Sequence, residues 1–247
     1  MAHPFEVRKE IEVDASPEAI WEAIATGPGI DGWFVGGHNQ VEGRLGGTVR
    51  YDFGEDSGDS TITAWDPPTH FAHAGDPAPD GSLHAFEYVI EARGGGRALV
   101  RIVHSGFLAD DWEAEYDALN EGDFMYLHLL AQYVTHFRGR RPGLVSLWRP
   151  EADRGRALGV IARELGLSEP IAEGDRVQAA PPEVGPIDGV VDFVSRSIVG
   201  IRTDDALYRF LHSPQGVIYI GHHIYRDGVD WTPTRQAWQS WLDRSFA

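Results

Sequence analysis

Residues 97–137 read RALVRIVHSGFLADDWEAEYDALNEGDFMYLHLLAQYVTHF. Two periods meet in this stretch. Up to His104 every second residue is of one kind, with Ala98, Val100, Ile102 and His104 on one side, the pattern of a strand with one buried face. From Tyr116 the spacing lengthens: Tyr116, Leu119, Leu127, Leu130, Val134 and Phe137 fit a helix about 33 Å long at 1.5 Å per residue. Seven acids between Asp110 and Asp123 stand before and within its first turns, where the positive end of the helix dipole favours them. Gly122 either bends this helix or marks its start. A sheet whose last strand runs into such a helix grips it and makes a cavity. Period two puts His104 on the inward side.

Upstream, Val7, Lys9, Ile11 and Val13 alternate with Arg8, Glu10 and Glu12, which predicts a first strand with one solvated face. Ser16-Pro17-Glu18 reads as a helix N-cap, a proline at the first position and an acid in the first turn, so a helix runs to about Ala25. Gly27-Pro28-Gly29 breaks it, and a short helical turn over Ile30 to Phe34 carries Trp33 and Phe34. Six strands are expected next: Val41–Leu45, Thr48–Phe53, Ser60–Trp65, His70–Ala74, Leu83–Ala92 and Arg97–His104. Turn chemistry separates them, from Gly46-Gly47 to Gly94-Gly95-Gly96, and favours an antiparallel meander.

Downstream, Arg138-Gly139-Arg140-Arg141-Pro142-Gly143 stops the long helix and reads as a linker. A helix is expected over Arg154–Leu165. Four strands follow over Gly189–Ser195, Ile198–Arg202, Ala206–Leu211 and Val217–Tyr225, then a closing helix capped by Thr232-Pro233 and bearing Trp238, Trp241 and Leu242. The expected division is an α+β helix-grip domain over residues 1–140 and a smaller α+β domain over 141–247. The second is read as a possible degenerate copy of the first.

At 247 residues the chain can bury two modest cores, and no apolar run approaches the roughly 20 residues of a membrane-spanning helix. The first dozen residues lack the apolar core of a secretory signal, so a cytoplasmic location is expected. There is no cysteine, which excludes disulfides and thiolate chemistry. The net charge of -17 repels phosphate backbones and anionic membranes, so neither nucleic acid nor membrane insertion is expected. Residues 1–140 hold 24 acids against 9 bases, and the remainder 14 against 12, so the chain changes character near residue 140.

The first 140 residues resemble the activator of heat-shock-protein-90 ATPase homologue family, a branch of the START-like or SRPBCC superfamily. The resemblance covers about residues 5–138. It rests on Val13-Asp14-Ala15-Ser16-Pro17-Glu18 with Ile20-Trp21, on Gly32-Trp33-Phe34, on Trp65-Asp66-Pro67-Pro68, and on His104-Ser105-Gly106-Phe107. Gly122-Asp123-Phe124 departs from the usual Gly-Trp opening of the last helix. The resemblance implies a curved antiparallel sheet around a long helix, with a mainly apolar cavity between. Members bind lipids and other hydrophobic molecules, act as polyketide cyclases or dehydratases, or assist a chaperone.

The cavity candidates are Trp33, Phe34, Phe53, Phe71, Phe86, Tyr88, His104, Phe107, Phe124, Leu127 and His128. His104 can serve as an acid, a base or a ligand's hydrogen-bond partner, but a strand-end histidine satisfied by backbone groups is the plainer reading. His128 stands beside Leu127, toward the cavity or its rim. Asp52 to Asp59 is acidic without the spacing of a calcium loop, and His70 and His73 face opposite sides of a strand, wrong for shared metal binding. His212, His222 and His223 would need an unseen fold contact to hold one. Trp238 and Trp241 read as core or dimer contacts. The expected activity is noncatalytic binding of a small hydrophobic molecule, with no cofactor and no metal. A cyclase or dehydratase using the same cavity is the alternative; a homodimer and a chaperone partner stay open.

Overall fold

The computed structural model of the protein describes residues 2–52, 58–109, 112–151 and 153–247. The chain divides into two compact units, Met1–Arg141 and Pro142–Ala247. In the first, β1 (His3–Val13) leads into α1 (Pro17–Ala25) and the short α2 (Gly27–Ile30). Then come β2 (Gln40–Val41), β3 (Thr48–Tyr51), β4 (Gly58–Asp66), β5 (His70–Gly75), β6 (Leu83–Arg93) and β7 (Arg97–Leu108). The long helix α3 (Trp112–Gln132) closes the unit and continues into a π-helical turn, Tyr133–Phe137. The strands form one antiparallel sheet in the order β1-β7-β6-β5-β4-β3-β2. β1 pairs with β7 along its whole length, Val13 opposite Ala98 and His3 opposite Leu108. First and last strands are thus joined, and α3 lies over them, with Trp112, Tyr116 and Leu119 packed on Phe5, Val7 and Leu108. This is the helix-grip α+β arrangement.

Local chemistry sets the boundaries. Ser16 caps α1, its Oγ accepting from the backbone N–H of Ala19 at 3.3 Å. Thr26 caps α2 in the same way through Gly29 N–H at 3.0 Å. The segment that ends α1 also starts a new helix at Gly27–Ile30, and helical turns continue into the expected stretch, where the Trp33 and Phe34 N–H groups donate to the Ile30 carbonyl at 3.1 and 2.9 Å. Glycine is needed there because a Cβ on Gly29 would run into the Glu22 carbonyl, and one on Gly27 into the Asn39 carbonyl. The strand expected over Val41–Leu45 is reduced to Gln40–Val41. β7 runs past His104 to Leu108, because its pairing with β1 continues that far. Gly122 lies inside an unbroken α3.

In the second unit β8 (Gly143–Pro150) is followed by α4 (Arg154–Glu164), β9 (Arg176–Ala179), β10 (Ile187–Val194), β11 (Ile198–Arg202), β12 (Ala206–Ser213), β13 (Val217–Ile224) and α5 (Trp231–Ser245). The sheet order is β8-β13-β12-β11-β10-β9, so here too the last strand joins the first. β8 and β9 lie in stretches to which the sequence reading assigned no strand, only Gly143 of β8 falling in the expected linker. β8 hides its nature because Trp148, at 66% exposure, stands on its solvated side. The cap of α5 is Asp230, which accepts from Thr232 N–H at 3.3 Å, two residues before the expected Thr232-Pro233 start. Trp238 and Trp241 are buried in the core between sheet and α5, with Trp238 edge-on to His222 at 4.2 Å. Deeper in the sheet, Arg209 and Asp192 form a bidentate ion pair at 3.0 and 2.7 Å.

Candidate functional site

The first unit holds a cavity of about 250 Å³ between the sheet and α3. Its floor comes from alternate residues of neighbouring strands: Phe86 and Tyr88 of β6 stand opposite His104 and Ile102 of β7. Tyr51 of β3 extends it, and Leu119, Asp123, Tyr126, Leu127 and Leu130 form the facing stripe of α3. Trp33 and Phe34 close one end. Trp33 is held by its indole N–H, which donates to the Ala23 carbonyl at 3.0 Å, and Phe34 packs against Tyr51 and Tyr126 at ring distances of 5.2 and 4.9 Å.

The polar groups in these apolar walls are organised in pairs. His104 meets Asp123 Oδ2 through Nδ1 at 2.9 Å and His84 Nδ1 through Nε2 at 2.9 Å. With one proton on each ring the chain has a single direction: His84 Nδ1–H donates to His104 Nε2, and His104 Nδ1–H donates to the carboxylate. Phe86 stacks on the face of the His104 ring at 4.0 Å, and Phe5 meets its edge at 5.0 Å. Both nitrogens are occupied and the ring is covered, so His104 offers a ligand no lone pair. Among the described residues His104 is the only hydrogen-bond partner of Asp123, leaving the second carboxylate oxygen without one. Asp123 is therefore the group that presents an acceptor to the cavity.

A second pair lies across the sheet, where Tyr51 Oη and His73 Nε2 share a hydrogen bond of 3.0 Å. Burial holds the His73 imidazole down to about 3, with help from nearby His104, so it stays neutral at physiological pH. Burial also raises the Tyr51 and Tyr88 phenols, for Tyr88 with further contributions from Tyr51 and Asp123. Both remain protonated hydroxyls. The Tyr88 hydroxyl has no hydrogen-bond partner among the described residues, so it supplies a donor to the same cavity. Half-buried His84 is lowered chiefly by desolvation, then by His104, against Asp123 and Asp80.

A family model for polyketide cyclase / dehydrase and lipid transport matches residues 4–129, just over half of the chain. The chain belongs to that family. The match runs from β1 through most of α3 and so includes nearly the whole cavity. A search of the curated proteins finds no match. Among solved structures the di-domain ARO/CYC BexL from the BE-7585A biosynthetic pathway is 14% identical, with a TM-score of 0.47 over 97% of this chain and 94% of that one. DynU16 from the dynemicin biosynthetic locus is 16% identical, with a TM-score of 0.45 over 98% and 97%. The Aha1 dimer from Colwellia psychrerythraea is 23% identical, with a TM-score of 0.45 over 55% and 99%.

Of the residues singled out from sequence, the cavity brings together Trp33, Phe34, Phe86, Tyr88, His104 and Leu127. Phe71 is fully buried in the core against Trp21, Trp65 and Tyr88 instead. Phe107 and Phe124 are 45% and 40% exposed, because the strand and helix faces that carry them point outward. His128 is not among the lining residues, and Phe53 lies outside the described residues, as does most of the acidic stretch Asp52 to Asp59. The plainer reading of His104 is corrected: its partners are side chains, not backbone groups. His73 is buried beside Tyr51, while His70 pairs with Glu87 at 2.8 Å on the other face. Among the described residues no group of three or more histidine or acidic side chains is placed to hold a metal ion.

Sequence reasoning missed Tyr51, His84, Ile102, Leu119, Asp123, Tyr126 and Leu130 as site residues. A signal existed for two of them. Asp123 lies four residues from both Leu119 and Leu127, on the apolar face, and His84 lies two residues before Phe86 on the inward face of β6.

Proposed function

We propose that the first unit takes up one small, flat hydrophobic molecule carrying a carbonyl or hydroxyl group, of polyketide-derived or similar aromatic kind. The observation that carries this reading is the wall chemistry: six aromatic rings surround the space, and its few polar groups include the tethered pairs and Tyr88. Such a division between apolar bulk and a few placed polar atoms is what orients a ligand. A cavity of about 250 Å³ suits a molecule of about two or three rings better than a long acyl chain. Titration with 2-naphthol, followed by tryptophan fluorescence and native mass spectrometry, tests it. Ile102→Trp, which fills the cavity, is expected to abolish binding in a folded protein; equal binding by that variant would overturn the reading.

A second reading, proton-transfer catalysis of the cyclase or dehydratase kind, is favoured by one observation. Asp123 is buried, lines the cavity, and has one oxygen fixed by His104 and the other unbonded among the described residues, a disposition that suits a general base, and Tyr88 supplies a donor for a developing oxyanion. The ATPase-activator reading implied by the resemblance would instead use an outer surface of the acidic first unit. Salt-insensitive or absent association with the cell's own chaperone would argue against it. We also read the second unit as a shortened copy of the same fold, supported by the joining of β13 to β8 and the closing helix α5. Absence of cross-strand amide contacts between β8 and β13 in solution would sink that reading.

A further inference from the structure

We propose that His84, His104 and Asp123 form a proton path joining solvent to the carboxylate in the cavity, with His84 as the outer end. The path rests on the catalytic reading above. It adds the route by which the acting group exchanges its proton while a ligand fills the space.

Three observations lead to it. His104 is 3% exposed, capped by Phe86 and Phe5, and both its nitrogens are engaged, so it can pass a proton only along its two hydrogen bonds. Both bonds are 2.9 Å, a normal length for transfer between donor and acceptor. His84 is half-buried, and its Nε2 has no partner among the described residues and is not a buried atom, whereas His84 does not line the cavity. One end of the chain thus meets solvent and the other meets the ligand.

The step balances with no co-reactant beyond water. A proton from solvent binds His84 Nε2, the His84 Nδ1 proton moves to His104 Nε2, and the His104 Nδ1 proton moves to Asp123 Oδ2. One proton has entered, the carboxylate has become a carboxylic acid, and both rings are neutral again in the opposite tautomers. Reversal returns the proton to solvent. Other ionisable groups near the chain are Asp80 beside His84, His73 beside His104, and Tyr88 beside Asp123. Neither His73 nor Tyr88 is hydrogen-bonded to the chain. His84 is accordingly a positioning and relay residue, and Asp123 the one that meets the ligand.

The test uses the full chain and 2-tetralone, an enolisable two-ring ketone, in deuterium oxide. Uptake of deuterium beside the carbonyl is followed by NMR, and affinity is measured separately. Wild type is expected to speed exchange above buffer, and Asp123→Asn to abolish the gain. His84→Ala is expected to lower it at least about tenfold at unchanged affinity, with added imidazole restoring it. His84→Gln, which keeps a donor to His104 but cannot relay, should behave as His84→Ala without rescue and covers the case of a misfolded alanine variant. Unchanged exchange in folded His84 variants, or a loss in His84→Ala that imidazole does not restore, would overturn the path alone. No protein-dependent exchange in wild type would overturn the catalytic reading and the path with it.

Discussion

Asp123 shows how environment assigns a role to a residue type that composition makes look ordinary. It is one of seven acids between Asp110 and Asp123, of which Glu113 and Glu115 stand in the first turn of α3, where the helix dipole favours them. It alone meets His104, because the 3.6-residue period turns it inward between Leu119 and Leu127. His73 carries a prediction at this scale. Its pKa is about 3 in the folded protein against 6.5 for the free side chain. Above pH 6.5 both states are neutral and it adds no pH dependence. Below 6.5 the unfolded chain takes up a proton that the folded chain refuses, so stability falls as pH drops toward 3, by about 2 kcal/mol from this residue at pH 5. The gap between denaturant midpoints at pH 7 and pH 5 should therefore narrow in His73→Phe, with buried His222 still contributing in the same direction; an undiminished gap would place the titration elsewhere. His104 was legible in sequence because period two is a local property of its strand. Its partners were not, since His84 and Asp123 meet it only through strand register and helix docking.

Elements were most legible where local chemistry and period agree. Ser16 with Pro17 defines the start of α1, and the observed Ser16 Oγ bond to Ala19 N–H follows. Ser16→Ala should cost about 1 kcal/mol, read as a lower denaturation midpoint, with a loss under a few tenths showing that water replaces the cap. β6, β7 and α3 were recognisable for the same reason, though β7 extends four residues further through its pairing with β1 and α3 begins four residues earlier. β9 and β8 were not, because a four-residue strand has too few alternations and Trp148 contradicts the pattern on β8. The Gly27-Pro28-Gly29 stretch ends α1 at Ala25, as its composition signals. Capping by Thr26 and close approach to Glu22 and Asn39 make the same stretch the start of α2, which leads into Trp33 at the end of the cavity.

At the scale of the molecule, the first and last strands of each unit are joined. In the first unit α3 leaves about 250 Å³ between itself and the sheet; in the second, Trp238 and Trp241 of α5 are buried against Tyr208, Phe210 and His222. Trp241→Ala should destabilise residues 142–247 by ~3–5 kcal/mol, seen as faster amide exchange in their peptides, while ligand uptake by the first unit persists. Loss of uptake in that variant would show that the two cores are coupled. The sequence by itself determined the strand and helix periods, the acidic balance, the absence of cysteine and the family-like motifs of the first unit, because each of these is carried by residues close together in the chain. Only the tertiary structure decided that the long helix from Trp112 leaves room beneath it, and that its Asp123 completes a hydrogen-bonded chain with His104 and His84. Volume and side-chain pairing depend on how separate elements dock, and no local period contains that distance.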